Sequence, residues 1–173
     1  MTSPYRPPRL ITATDNVAQF DCASTEQTQW LRRHAHQSAS TGTTRVFVVT
    51  QGDDSTVVAY YAWCMAQLEL AAVPERLKKG AGRYPQPMAL LARLGVDSRH
   101  EGKGLGAGLL IDVVSRLLIL SDDIGCRGLL IHAESEAARA FYLHLIPELR
   151  QSPTDELHLV LLLKDARRTL TGE

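Results

Sequence analysis

The segment RHEGKGLGAGLLIDVV, residues 99–114, constrains this chain more than any other. Gly102, Gly104, Gly106 and Gly108 alternate with other residues and run straight into an apolar pattern at helical spacing. A glycine inside a helix costs about 1 kcal/mol relative to alanine, so this density at a helix start calls for a purpose. A helix N-terminus leaves backbone N–H groups unpaired and carries partial positive charge. Glycines in front of it let a ligand reach the backbone with no side chain in the way. Together these features make a cradle for phosphate.

The rest of the chain sets the context. Its 173 residues are enough for one domain with its own core, and 1–173 reads as a single domain. Residues 1–9 read as an extended, proline-rich lead-in and residues 164–173 as a charged tail. The segment FDCASTEQTQWLRRHAHQ suggests a strand end followed by a helix, with Trp30 and Leu31 on its apolar side. Arg45 to Thr50 and Thr56 to Met65 are β-branched and aromatic strands around the turn cluster QGDDS, hence an antiparallel hairpin. Residues 73–86 form a polar loop, and Met88 to Val96 a third apolar strand. The glycine stretch then opens a helix to about Leu120, with Leu105, Leu109, Leu110, Val113, Leu117 and Leu118 at helical spacing. Cys126 to His132 is a short strand, Ser135 caps a helix through Tyr142, and Leu157 to Leu163 is a last strand. The fold class is α/β (α+β), a mixed sheet with helices on both faces.

Composition removes several classes of function. The formal net charge is zero, so nothing pulls the whole molecule toward nucleic acid or a membrane surface, and any basic site must be local. Cys22, Cys64 and Cys126 are odd in number and widely spaced, which suits free thiols in a reducing cytoplasm and not a disulfide framework or a zinc site. Cys64 and Cys126 are expected in the core and His34 and His36 on a solvated helix face. No metal site is expected. No signal peptide and no membrane span are expected.

Known phosphate loops can be tested against the glycine stretch. The P-loop pattern GxxxxGK[ST] is absent. Gly102, Gly104 and Ala107 fit the loose form of the dinucleotide fingerprint, but Asp122 and Asp123 precede the next strand where that motif wants an acidic residue at its end. Arg99-x-x-Gly102-x-Gly104, directly after the strand RLGVD and opening a helix, resembles the pyrophosphate loop of the GCN5-related N-acetyltransferases. The ARAFY ending of the next helix, with Phe141 and Tyr142, fits the same family. Over most of the chain, FDC, GRYPQP, LARLGVD, GKGLGAGLL, HAESEAARAFYLH and SPTDELHLVLLLKD resemble the TacT-type acetyltransferase toxins of bacterial toxin–antitoxin pairs.

The resemblance implies a mostly antiparallel sheet flanked by helices, with a β-α-β core carrying the coenzyme A loop. It implies acetyl-CoA as co-substrate, bound by Leu94, Val96, Glu101, Gly102, Lys103, Gly104, Leu105, Gly106, Ser135 and Phe141. It implies acetylation of the α-amino group of aminoacyl-tRNA, which blocks translation, a ribbon-helix-helix antitoxin as partner, a homodimer and a cytoplasmic location. Acetyl transfer needs a neutral amine, a stabilised carbonyl oxygen and an acid for the departing thiolate. A free α-amine titrates near 7.7–8.0 and an ester lowers it further, so a strong base is not required. A backbone N–H of the pantetheine-binding strand can hold the oxygen. Tyr142 aligns with the tyrosine that serves the family as acid. Adjacent helix positions lie about 100° apart, which places Phe141 in the core and Tyr142 in the site. His132 and Glu134, at a strand end, could relay a proton through water, but read more simply as polar strand-end residues.

Arg76, Lys78, Lys79, Arg83 and Arg93 gather in one loop and strand of a neutral chain, with Arg99 and Lys103 extending the cluster. By charge alone they are either a tRNA phosphate track or an ordinary solvated loop; the resemblance favours the track. No aromatic RNA-stacking module is evident, so recognition is expected to rest on shape and charge. One departure stands out: Leu145, Ile146 and Pro147 replace the Gly-Phe turn that usually follows the FY helix, and Pro147 ends the helix. Rival readings are an acetyltransferase for a protein or small-molecule amine and a non-catalytic acyl-CoA-binding module.

Overall fold

The computed structural model describes residues 3–172. The first two residues of the expected lead-in and the last of the expected tail lie outside the described residues. In chain order the elements are β1 (Arg9–Leu10), α1 (Thr25–Thr41), β2 (Arg45–Thr50), β3 (Val57–Leu68), β4 (Gln86–Val96), α2 (Leu105–Asp123), β5 (Gly128–His132), α3 (Glu136–Leu145), β6 (Arg150–Ser152), β7 (Asp155–Leu162) and α4 (Leu163–Thr171). The strands follow the order β1-β2-β3-β4-β5-β7-β6 in one sheet. Pairing is parallel between β4 and β5 and antiparallel for β1/β2, β2/β3, β5/β7 and β6/β7, so the mixed, mostly antiparallel sheet and its β4-α2-β5 unit are as expected.

Contacts divide the chain into two units. The first comprises residues up to 64 together with 92–112. There α1 begins where the Ser24 hydroxyl accepts the Gln27 N–H at 3.1 Å, which satisfies one of the orphan donors of a helix start. Its inner face, Leu31 and Ala35, packs on Val46 and Val48 of β2 and on Val57, Tyr60 and Ala62 of β3, with Val17 and Phe20 closing the cluster. Full burial of such apolar side chains is worth roughly 1.5–3 kcal/mol each. Tyr60 keeps its hydroxyl satisfied by donating to the Gln27 carbonyl at 2.7 Å. The lead-in is tied down: β1 pairs with β2, and Arg9 grips the buried Asp15 carboxylate with two bonds of 2.7 Å. FDC is a connecting segment and not a strand end.

The second unit comprises residues 65–91 and those from 113 on. β4 and β5 pair from Met88↔Gly128 to Leu91↔Ile131, and β5 and β7 from Gly128↔Leu162 to His132↔His158. Met88, Leu130 and Val160 make a cluster that Leu68, Val73 and Leu77 cover. The expected polar loop is therefore anchored from below by its own Val73 and Leu77; a 3-10 turn at Leu70–Ala72 leads into it and a second, Glu75–Leu77, lies within it. A Cβ on Gly128 would collide with the Leu161 carbonyl of β7, so only glycine fits there.

Five expectations are corrected. The tail is the helix α4, which buries Asp165 and Ala166 and turns Lys164, Arg167 and Arg168 to solvent. β6 precedes β7 and makes the last strand a hairpin. Phe141 is 37% exposed while Tyr142 is 6% exposed, the reverse of the expected burial. The reason is the four-residue spacing of Tyr142 and Ile146, which share the buried face of α3 and leave Phe141 to one side. Cys64 and Cys126 are half-buried, and His36 is half-buried with its Nε2 3.1 Å from the Asp15 carbonyl.

Candidate active site

The glycine loop is shaped by the end of β4. Asp97, 1% exposed, caps the 3-10 turn Ser98–His100 by accepting the Arg99 N–H at 3.0 Å. The same carboxylate accepts Arg99 Nε and Nη2, each at 2.9 Å, and the Asp21 N–H at 3.1 Å. The Arg99 side-chain hydrogen bonds outweigh the opposing effect of burial and hold Asp97 down at about 2. Arg99 Nη2 also donates to the Gln19 carbonyl at 2.9 Å. Arg99, through Nη2, and Asp97 together clamp the loop to residues 19–21. Gly102 and Gly104 follow at φ +73° and +80°, conformations that L side chains rarely adopt. A Cβ at either would meet nothing within 4 Å, so backbone conformation, not crowding, dictates glycine here. The Gly108 N–H donates to the Gly104 carbonyl at 3.0 Å and closes the first turn of α2. The amides of Leu105, Gly106 and Ala107 precede that bond and have no intrahelical partner. Helix-start amides, open glycines, the positive end of a 19-residue helix and a Lys103 side chain that is exposed and unpaired among the described residues fit a phosphate group. Leu94 and Val96, at the end of β4, are half-buried, and Glu101 is exposed.

In the second unit α3 starts at Ser135, whose hydroxyl accepts the Ala138 N–H at 3.2 Å. That cap sets the phase that turns Tyr142 inward. Among the described residues the Tyr142 hydroxyl has no hydrogen-bonding partner, and its ring lies edge-on to Phe141 at 5.4 Å. Burial, and then the negative charge of Glu134, push the Tyr142 phenol well above its ordinary range. It is therefore a protonated donor at neutral pH. His132 stacks on His158 at 3.8 Å across β5 and β7. Burial, and then His158, hold His132 below its usual value and favour the neutral imidazole. Glu134 is exposed beyond the strand end.

The basic residues separate into free and committed groups. Arg76, Lys79 and Arg83 are exposed on the 73–86 loop and make no ion pair among the described residues. Lys78 pairs with Glu75 at 3.0 Å on the surface. Arg93 is engaged elsewhere: it meets Glu26 at 3.0 Å and lies 5.4 Å over the Trp30 ring, both on α1. Sequence reading missed the residues that hold this architecture. Asp97 could have been found from its capping position two residues before an arginine. Arg127 and Gln86, which bond carbonyls of the basic loop, carry no local signal. Among the described residues no three His, Cys, Asp or Glu side chains are grouped to hold a metal ion, and no helix is long and apolar enough to cross a membrane.

No family model matches the chain. In fold it is similar to a mutant of KacT (TM-score 0.87, 22% identity, 96% of this chain and 99% of that one). It is equally similar to AtaT complexed with acetyl-methionyl-tRNAfMet (TM-score 0.86, 24% identity, 96% and 99% covered). In sequence it is 30% identical to a probable toxin TacT of Sinorhizobium fredii over 109 residues, 62% of this chain and 60% of that protein. It is 40% identical to the tRNA-acetylating toxin of Mycobacterium tuberculosis over 165 residues, 95% of this chain and 96% of that protein. With the glycine cradle and the buried tyrosine both inside that nearly full-length match, the chain belongs to the family of TacT-type tRNA-acetylating toxins, within the GCN5-related N-acetyltransferases.

Proposed function

We propose that this protein is a cytoplasmic toxin whose single N-acetyltransferase domain moves an acetyl group from acetyl-CoA to the α-amino group of an aminoacyl-tRNA and so blocks translation. The observation that carries the reading is the 40% identity to a tRNA-acetylating toxin across 95% of the chain. Related folds solved as AtaT with acetyl-methionyl-tRNAfMet and as AtaTR bound with AcCoA support it. An antitoxin partner follows by analogy with the AtaT–AtaR and KacTA complexes; its ribbon-helix-helix type and a homodimer remain part of the proposal.

In this reading the amides of Leu105, Gly106 and Ala107, opened by Gly102 and Gly104, hold the pyrophosphate of acetyl-CoA, with Lys103 and Glu101 flanking it. Leu94 and Val96 supply backbone groups to the pantetheine arm, and Ser135 and Phe141 border the coenzyme. Acetyl-CoA supplies an acetyl group activated as a thioester. The neutral amine forms the N–C bond as the C–S bond breaks, the Tyr142 proton passes to sulfur, and the proton released by the new ammonium returns through water to the Tyr142 phenolate. The raised Tyr142 phenol is protonated at neutral pH and so carries a proton to donate. Exposed Arg76, Lys79 and Arg83, with Lys78, contact tRNA phosphates; Arg93 serves α1 first and the substrate second.

Induced expression tests the reading in cells. Wild type arrests growth, and Tyr142→Phe, which keeps the ring and removes the proton, relieves the arrest. Equal harmlessness of the two proteins, both expressed and folded, would contradict the toxin reading.

A further inference from the structure

Tyr84 is 81% exposed, more than any other large hydrophobic side chain described. An isolated exposed aromatic is ordinary on a surface, but this one stands on a built support. Gln86, itself 5% exposed, donates through Nε2 to the carbonyls of Ala81 at 2.6 Å and of Tyr84 at 2.7 Å. Arg127 donates through Nη2 to the Leu77 carbonyl at 3.1 Å and through Nη1 to the Gly80 carbonyl at 3.5 Å. The Ala81 N–H closes onto the Lys78 carbonyl at 2.9 Å, and Val73 and Leu77 are buried in the cluster of Met88, Leu130 and Val160. Gly80 and Gly82 turn the chain at φ +82° and +69°. Pro85 further restricts the backbone of Tyr84. The loop's carbonyls face two polar side chains beneath it, and its cations and one aromatic ring face solvent.

We propose that Tyr84 is a stacking platform for an unpaired nucleobase of the substrate tRNA, with Arg83, Lys79 and Arg76 beside it for the adjoining phosphates. The proposal rests on the aminoacyl-tRNA reading above and adds a second kind of contact to its charge-based recognition. Residues 73–86 carry four cations against the single carboxylate of Glu75, in a chain of zero net charge. A protein partner would want a wider apolar core than one ring. A planar ring among cations suits an unstacked base flanked by phosphates, which is how single-stranded RNA is held. A platform ordered before binding loses little freedom on binding.

Steady-state acetyl transfer by the full-length protein tests this. Bulk aminoacyl-tRNA and acetyl-CoA are supplied to wild type and to the Tyr84→Ala, Tyr84→Phe and Tyr84→Trp variants. Tyr84→Ala should raise KM for the charged tRNA roughly 5- to 150-fold, with kcat and KM for acetyl-CoA nearly unchanged. Tyr84→Phe and Tyr84→Trp should restore KM, because stacking needs a ring and not a hydroxyl. An unchanged KM in Tyr84→Ala, or a Tyr84→Phe variant as impaired as Tyr84→Ala, would overturn the platform while leaving the acetyltransferase reading intact. A wild type that acetylates no charged tRNA would overturn that reading and the platform together.

Discussion

Asp97 shows how one side chain can fix a functional loop without touching a ligand. Its carboxylate is buried and takes four hydrogen bonds, three from Arg99 and one from the Asp21 amide. Because its folded value is about 2, below the ordinary carboxylate range, the stability it supplies is complete above about pH 4 and is lost as pH falls through about 2. Asp97→Asn should remove about 1–2 kcal/mol at neutral pH, a figure reduced for the solvent exposure of Arg99. It should also flatten the unfolding curve between about pH 4 and pH 2. Urea denaturation at several pH values would measure both effects. The same residue illustrates a limit of local reading. The Arg99-x-x-Gly102-x-Gly104 spacing is visible in sequence, but the distant partners, Gln19 for Arg99 and Asp21 for Asp97, lie about eighty residues away in the chain. Arg93 is alike: its partners Glu26 and Trp30 are on α1, and nothing in its neighbourhood announces them.

At the scale of elements, the β4-α2-β5 unit and the start of α3 are legible because each has a local physical signature. The glycines mark the start of α2, its leucines give the period, and Ser135 is a cap with an apolar face behind it. α4 and β6 are not legible for the opposite reason. LKDARRTLT holds few apolar residues, and its helix is secured by burial of Asp165 and Ala166 and by a Thr169 to Glu148 bond of 3.3 Å. The Phe141–Tyr142 order could not be settled by adjacency; it depends on Ile146 continuing the buried face. The glycine loop gives the test at this scale. Gly104→Ala places a side chain at φ +80°, a strain of roughly 1–2 kcal/mol. It should raise KM for acetyl-CoA roughly 5- to 30-fold, and leave KM for the charged tRNA nearly unchanged. Initial-rate measurements with each substrate varied in turn would separate the two.

For the whole molecule, the zero net charge and a pI near 7.0 give no general pull on tRNA, so the proposed function assigns that attraction to the basic 73–86 loop. Three free cations on that loop, Arg76, Lys79 and Arg83, should give a log–log slope of tRNA affinity against salt of about −2 to −3. Arg83→Ala should reduce the slope by nearly one contact. Filter binding across a salt series would show it, and a slope near zero would argue against a phosphate track.

The most direct test of acetyl transfer to aminoacyl-tRNA is mass spectrometry of the product. The purified protein is incubated with acetyl-CoA and a mixture of charged tRNAs, with Tyr142→Phe in parallel. The account predicts N-acetyl-aminoacyl-tRNA from wild type, with the rate reduced roughly 10²- to 10⁴-fold in the variant. The absence of N-acetyl-aminoacyl-tRNA from a wild-type protein that binds acetyl-CoA would contradict it.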